Sequence, residues 1–302
     1  MAFLLDNLKE GGTIAGVLAA KNIKILKTRN DSPYLDLLLT DGKTIVAGKF
    51  WDYQGDRPKG NILYVAATIG SYNGQFQLKI NYLRPAKPEE YNPRDFLPAA
   101  PVPVADLWVR WDALVNQIAS PDLKALLEYA KTKYRNSFEN APGAVFHHHA
   151  YLGGCLLHSI RVAEMAAVIC DLELDPDLII AGGLLHDIGK LVSYNWSEGV
   201  FSYTDEGQFL EHTTLGILTV RELLKEVHLD RLTTLKLLHI IASHHGREEW
   251  GAPVKPKLPE ALVIHQCDMI DSQVDKLRGV QNNSQGSNWE YVQGMGFVYT
   301  GD

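Results

Sequence analysis

The sequence predicts a multidomain chain of mixed α and β class, a small all-β barrel followed by an all-α helical bundle. Three observations carry that expectation. Asp41-Gly42 and Asn73-Gly74 each separate two β-rich runs, which is the strongest short-range hairpin signal. The stretch RPAKPEEYNPRDFLPAAPVPV interrupts that pattern around residue 95, and its prolines exclude a long helix or a central strand. From Ala105 to Lys276 apolar residues then recur at helical intervals, as in a packed bundle.

The strand runs are IAGVLAAKNIKILKT, YLDLLLTDGKTIVAGKFW and ILYVAATIGSYNGQFQLKINYL. Split at their turns they give five strands, the number that closes a small barrel of OB type. The domain limits expected from this reading are 1–90 for the barrel, 91–104 for the linker and 105–280 for the helical domain. Residues 281–302, with QNNSQGS ahead of NWEYVQGMGFVYTGD, form a tail expected to be flexible and suited to fold over a cleft or serve an oligomer contact.

Composition narrows the function classes. The chain has 302 residues, 46% of them apolar, enough for two buried cores. It offers no long apolar run, and MAFLLDNLKEGG lacks the basic start of a secretory leader, so a cytoplasmic protein without membrane contact is expected. Cys155, Cys170 and Cys267 are scattered in apolar helical contexts, the setting of reduced core thiols. The net charge of −7 divides unevenly: residues 1–95 carry 13 Lys+Arg against 10 Asp+Glu, hence +3, and the remainder −10. A mildly basic domain with Tyr34, Phe50, Trp51, Tyr53, Tyr64, Tyr72 and Phe76 suits stacking on single-stranded RNA or ssDNA. The plain alternative is that these rings fill the barrel, and +3 is far from the footprint of a duplex binder.

The chemistry lies in the helical half. His186 and Asp187 adjoin in LLHDIGK; His158 precedes them by 28 residues, His212 follows Asp187 by 25, His244-His245 come 32 residues after His212, and Asp268 lies 23 after His245. Such intervals place one ligand or ligand pair on each successive helix, converging inside a bundle. An imidazole beside a carboxylate can hold a divalent cation, with a second oxygen left to bridge to another. No nucleophile elbow, phosphate-binding lysine loop or paired CxxC is present, so those chemistries find no support.

The order H…HD…H…HH…D resembles the HD superfamily of metal-dependent phosphohydrolases. The resemblance implies one metal on His158, His186, Asp187 and Asp268, and a second on Asp187 as bridge with His212, His244 and His245. Imidazole and carboxylate donors suit manganese, the favoured ion, and also Fe, Co, Ni or Zn. Lys190, one turn beyond His186 and Asp187, can reach a phosphate oxygen beside the metals, or be a solvated lysine at a helix end.

An OB-type barrel ahead of an HD domain, with FHHHAYLGGCLLHS, LLHDIGK and SHHG, is similar to the YhaM family of 3′ to 5′ exoribonucleases. The resemblance spans about residues 10–280. Its members commonly carry glycine before the third metal histidine, where this chain has Glu211. Within His147-His148-His149, either His148 or His149 is expected to meet the substrate, the alternative being loop histidines bonded to neighbouring backbone. The catalytic candidates are thus Asp187, Lys190, His148 and His149. Asp271 and Asp275 share a helix face with Asp268, either as acceptors for a ligand imidazole or as solvated carboxylates. Arg161 has two readings, a phosphate contact or a pair with an acidic ligand. His239 and His265 sit in apolar surroundings and are expected in the core or behind the ligands.

The expected activity is removal of nucleotides one at a time from a single-stranded 3′ end. The alternatives are an HD phosphohydrolase for a small nucleotide or cyclic dinucleotide, and a non-catalytic nucleic-acid binder with a structural metal site. Oligomeric state is left open, a homo-oligomer included.

Overall fold

The computed structural model describes residues 4–145, 149–169, 173–283, 286, 288–292 and 294–301. It divides into two compact units: one runs to Pro98 and takes in Asn195–Ser202, and the other holds Ala99–Tyr194 and the chain from Tyr203 onward. Limits read in chain order do not foresee the excursion at Asn195–Ser202.

The first unit is a closed five-stranded barrel. Strands β1 (Thr13–Lys27), β2 (Pro33–Thr40), β3 (Ile45–Trp51), β4 (Ile62–Tyr72) and β5 (Gln75–Pro85) follow the spatial order β1-β2-β3-β5-β4, with β1 closing on β4. Only β3 and β5 pair in parallel among them. This is the OB-like arrangement, whose closure removes exposed strand edges.

Period-two alternation drives it. Leu35, Leu37 and Leu39 of β2 are buried, while Tyr34 before them and Asp36 and Leu38 between them are not. Each buried leucine contributes about 1.5–3 kcal/mol on leaving water. Leu18, Leu63, Val65, Leu78 and Ile80 complete the same core. Asn73 and Gly74 take φ of 51° and 78°, the paired left-handed step of a type I′ hairpin turn. At the other turn the Asp41 carboxylate accepts from the backbone N–H of Lys43 and Thr44 at 3.1 and 2.9 Å, and from that of Leu5 at 2.7 Å.

The second unit is helical: α1 (Val104–Val115), α2 (Pro121–Asn140), α3 (Gly154–Val168), α4 (Pro176–Leu185), α5 (Lys190–Ser193), α6 (Asp205–Leu223), α7 (Arg231–Ser243) and α8 (Pro259–Asn283). Side-chain caps set the starts. Asp175 accepts from the N–H of Asp177 and Leu178, Thr204 from Gly207, and Asp230 from Leu232 and Thr233, each such cap stabilising its helix by roughly 0.5–2 kcal/mol. Every residue from Leu178 to Leu185 in α4 is buried, so this helix runs through the interior and carries His186-Asp187 to the centre of the bundle. Gly183 lets α4 approach the backbone of Ala163 in α3, and Gly189 lets the turn after α4 lie against the His212 carbonyl in α6.

Short ladders complete the chain, β6 (Tyr194–Asn195) with β7 (Ser202–Tyr203), and β8 (Trp289–Val292) with β9 (Gly296–Tyr299). The hairpin β8-β9 lies in the segment expected to be a flexible tail. Alternating aromatics explain it: Trp289 pairs with Tyr299 and Tyr291 with Phe297, their ring centroids 5.3 and 5.6 Å apart. Among the described residues no helix is long and apolar enough to cross a membrane.

Candidate metal centre

The seven candidate ligands converge in the helical unit. His158 sits in α3, His186 caps α4 with Asp187 following, His212 lies in α6, His244 caps α7 with His245 following, and Asp268 lies in α8. Asp187 stands between two groups of donors. Its Oδ2 is 3.3 Å from His158 Nε2 and 3.4 Å from His186 Nε2, while Oδ1 is 3.5 Å from His212 Nε2 and 3.6 Å from His244 Nε2.

Among the described residues three sets, each with its ligand atoms within 4.8 Å of one another, could hold an ion: His158 with His186 and Asp268, His212 with His244 and His245, and His149 with His158 and Asp271. In the third, Asp271 already accepts from both rings, so the first two are the candidate sites. Hydrogen bonds on the far side of the rings prepare them. His186 Nδ1–H donates to the Gly183 carbonyl at 2.8 Å and His244 Nδ1–H to that of Ile241 at 2.7 Å. His158 Nδ1–H donates to Asp271 Oδ2 at 2.8 Å. With Nδ1 engaged on the far side, each ring turns its Nε2 inward, the orientation ligation requires.

A cation fits this set of donors. His158 Nε2 and His186 Nε2 face each other at 3.1 Å, and His212 Nε2 and His245 Nε2 at 2.8 Å. Buried His244 Nε2 and both oxygens of Asp187 meet no donor in hydrogen-bonding geometry, although Lys190 Nζ pairs ionically with Asp187 Oδ2 at 2.6 Å. Buried acceptors without donors are costly, and a divalent cation at this cluster would offset that cost.

The electrostatics divide the rings. Burial, and after it His245, holds His244 well below the usual imidazole range; burial and His212 bring His245 down to about 4. Both stay neutral, as ligands must. Burial opposes charge on His158, but the carboxylates of Asp187, Asp268 and Asp271 outweigh it and raise its pKa well above the ordinary value, so metal and proton compete for this ring. Burial likewise opposes ionisation of Asp187, and Lys190 and His186 overcome it and keep the carboxyl ionised. Burial pushes the Cys155 thiol up to about 12 and the Cys267 thiol to about 11. Neither offers a thiolate to a soft metal.

The other expectations fare variously. Lys190 is only 7% exposed and lies against Asp187, which removes the reading as a solvated helix-end lysine. His148 and His147 lie outside the described residues, as does Cys170. His149 does not open onto a substrate: it is 1% exposed, with Nε2 on Asp271 Oδ2 at 2.6 Å and Nδ1 on the Tyr151 hydroxyl at 2.6 Å. Loop position in the sequence gave no sign of this burial. Arg161 Nη1 pairs with Asp271 Oδ1 at 3.5 Å, and His265 Nδ1 donates to the His244 carbonyl at 2.7 Å. Asp271 is the acceptor for His158 rather than a solvated carboxylate, as its position one turn beyond Asp268 allows. Tyr151 carried no sequence signal. Glu211 takes φ 60° and ψ 153° at a kink in α6, so the residue before His212 occupies glycine's conformational territory.

An OB-like barrel followed by a helical domain with this histidine and aspartate cage defines a metal-dependent phosphohydrolase, and residues 156–273 match the HD domain family model. The 3′-5′ exoribonuclease YhaM of Bacillus subtilis is 31% identical over 271 residues, covering 87% of this chain and 86% of the relative, and that of Bacillus licheniformis matches to the same extent. The chain belongs to the YhaM family. A solved HD domain, that of the L. monocytogenes phosphodiesterase PgpH, is 19% identical over 52% of this chain and 79% of that one, with a TM-score of 0.32.

Proposed function

We propose that this phosphohydrolase is a two-metal 3′ to 5′ exoribonuclease, with one divalent ion on His158, His186, Asp187 and Asp268 and a second on His212, His244, His245 and the same Asp187. The observation that carries it is the position of Asp187, whose two oxygens face different histidine groups. Manganese is the favoured ion, because the donors are imidazole and carboxylate. Divalent ions in such a site lower the pKa of bound water and offset charge on phosphoryl oxygens. The protein orients the acceptors through the carbonyls of Gly183 and Ile241. Lys190 holds a positive charge against Asp187, where it can also meet a phosphate oxygen.

RNA as substrate, and attack from the 3′ end, are supported by the named activity of the relatives. The barrel adds a stacking surface. Tyr34 and Trp51 pair across β2 and β3 with ring centroids 4.7 Å apart, Lys49 Nζ lies 5.3 Å from the Tyr34 ring, and Trp51 is 41% exposed. An exposed Trp51 beside the half-buried Tyr34 suits stacking on an unpaired base, while Lys49 is itself paired with Asp36 Oδ1 at 2.5 Å. Phe50 and Tyr53 instead pack on the barrel core, so only part of the aromatic set is available.

The test is incubation of the Mn-loaded protein with RNA labelled at its 5′ end, beside a panel of mononucleotides and cyclic dinucleotides. Progressive shortening of the label, abolished by His186→Ala, is expected. Turnover of the small nucleotides alone would overturn the exoribonuclease reading and leave the HD chemistry standing.

A further inference from the structure

We infer that His149 is a positioning residue for the metal centre, held behind Asp271 so that one carboxylate oxygen fixes the ring of His158. The inference rests on the two-metal reading above. Asp271 Oδ2 lies 2.8 Å from His158 Nδ1 and 2.6 Å from His149 Nε2. A carboxylate oxygen can only accept, so both imidazoles present an N–H to it. The neutral His149 ring then has a lone pair at Nδ1 for the Tyr151 O–H at 2.6 Å. His158 is left with Nε2 directed toward His186, Asp187 and Asp268, the atom at which a metal would displace the proton. With His149 neutral and a metal in place of the proton on His158 Nε2, one arrangement of protons satisfies the series from Tyr151 to the candidate ligand.

The backbone is built to hold this ring. His149 has φ 54°, a left-handed conformation that a non-glycine residue keeps only where its surroundings over-determine it. They do so here. Its N–H donates to Asp275 Oδ2 at 2.9 Å, and its carbonyl accepts from the N–H of Gly143 and of Tyr151 at 2.8 Å each. A side chain at Gly154 would collide with that carbonyl. Arg161 approaches the other oxygen of Asp271, at 3.5 Å, so the carboxylate is gripped from both sides. Buried as it is, His149 acts through Asp271.

The donor sets at His158 and at His212 give two sites within one molecule, so the experiment reads one against the other. Mn²⁺ binding to the full-length chain is followed by calorimetry and electron paramagnetic resonance in wild type, His149→Phe, His149→Gln and Tyr151→Phe. His244→Ala identifies the second site, and melting in chelator reports folding separately. His149→Phe should weaken one of the two sites by about 10–100-fold and leave the other within about twofold, as expected when the group orienting a ligand is lost. His149→Gln, whose amide N–H can reach Asp271, should recover most of that loss, and Tyr151→Phe should show a smaller one. If His149→Phe fails to fold, the graded loss in the other two variants decides. Both sites unchanged in folded His149→Phe, equal losses in the Phe and Gln variants, or a lowered melting temperature with unchanged affinity would each overturn the inference. A wild type that binds no Mn²⁺ would instead remove the two-metal reading beneath it.

Discussion

Replacing Glu211 by glycine should stabilise the helical unit. Glu211 takes φ 60° and ψ 153° within α6, a region open essentially to glycine alone and costing other residues roughly 1–3 kcal/mol. Glycine relieves that strain but gives up roughly 0.5–1 kcal/mol in chain entropy. The side chain contributes little to offset the change: it is 70% exposed and its carboxylate is 3.9 Å from His212 Nδ1, a solvated pair of small worth. The balance is a gain of roughly 0.5–2 kcal/mol, or a rise in melting temperature of about 1–8 °C for a domain of this size. Urea unfolding and thermal melting of Glu211→Gly and Glu211→Ala, measured side by side in chelator, provide the assay. Alanine removes the same carboxylate yet keeps the strained backbone, so it should not stabilise. Equal gains in both variants would refute the backbone explanation and leave the side chain responsible.

Gly183→Ala should destabilise the helical unit by about 1–3 kcal/mol, because the added methyl would lie 2.6 Å from Ala163 Cα; an unchanged melting temperature would contradict that packing. Trp51→Ala should weaken binding of single-stranded RNA by about 1–3 kcal/mol, roughly 5–150-fold, with hydrolysis of a dinucleotide unaffected; equal loss on both substrates would argue against a stacking role. The metal-free protein should lose stability through His245 as pH falls. Its pKa is lowered from 6.5 to about 4, by burial first and His212 next, so between those values the unfolded chain takes the proton that the folded chain refuses. That contribution is intact above 6.5 and lost on the way to 4. His245→Asn should flatten this part of the profile, and a slope identical to wild type would assign it elsewhere.

The barrel and the ligand set were legible because each leaves a periodic trace. Leu35, Leu37 and Leu39 alternate at the spacing of a strand, and the candidate ligands recur once per helix. The orienting groups leave none. Gly183 and Ile241 act through their carbonyls, which every residue possesses, and Tyr151 reaches His149 through a loop with no repeat. Asp271 was half legible, since its place one turn beyond Asp268 fits either a solvated or an orienting carboxylate, and only the fold brings His158 to it. His149 shows the opposite failure: a histidine run in a loop suggests exposure, whereas the left-handed turn withdraws its ring into the bundle.

The two carbonyls that orient His186 and His244 have a consequence for helix stability. Each lies in the last turn of its helix, three residues before the ring it holds, where main-chain oxygens otherwise lack an intrahelical partner. α4 and α7 thus direct the negative ends of their dipoles toward the same cluster of side chains, and a cation there is favoured by both. Loading the site would cap two helices together. Amide exchange near the ends of α4 and α7 should slow in concert when metal is added, so that loss of the ion would register first as fraying at two places far apart in the sequence.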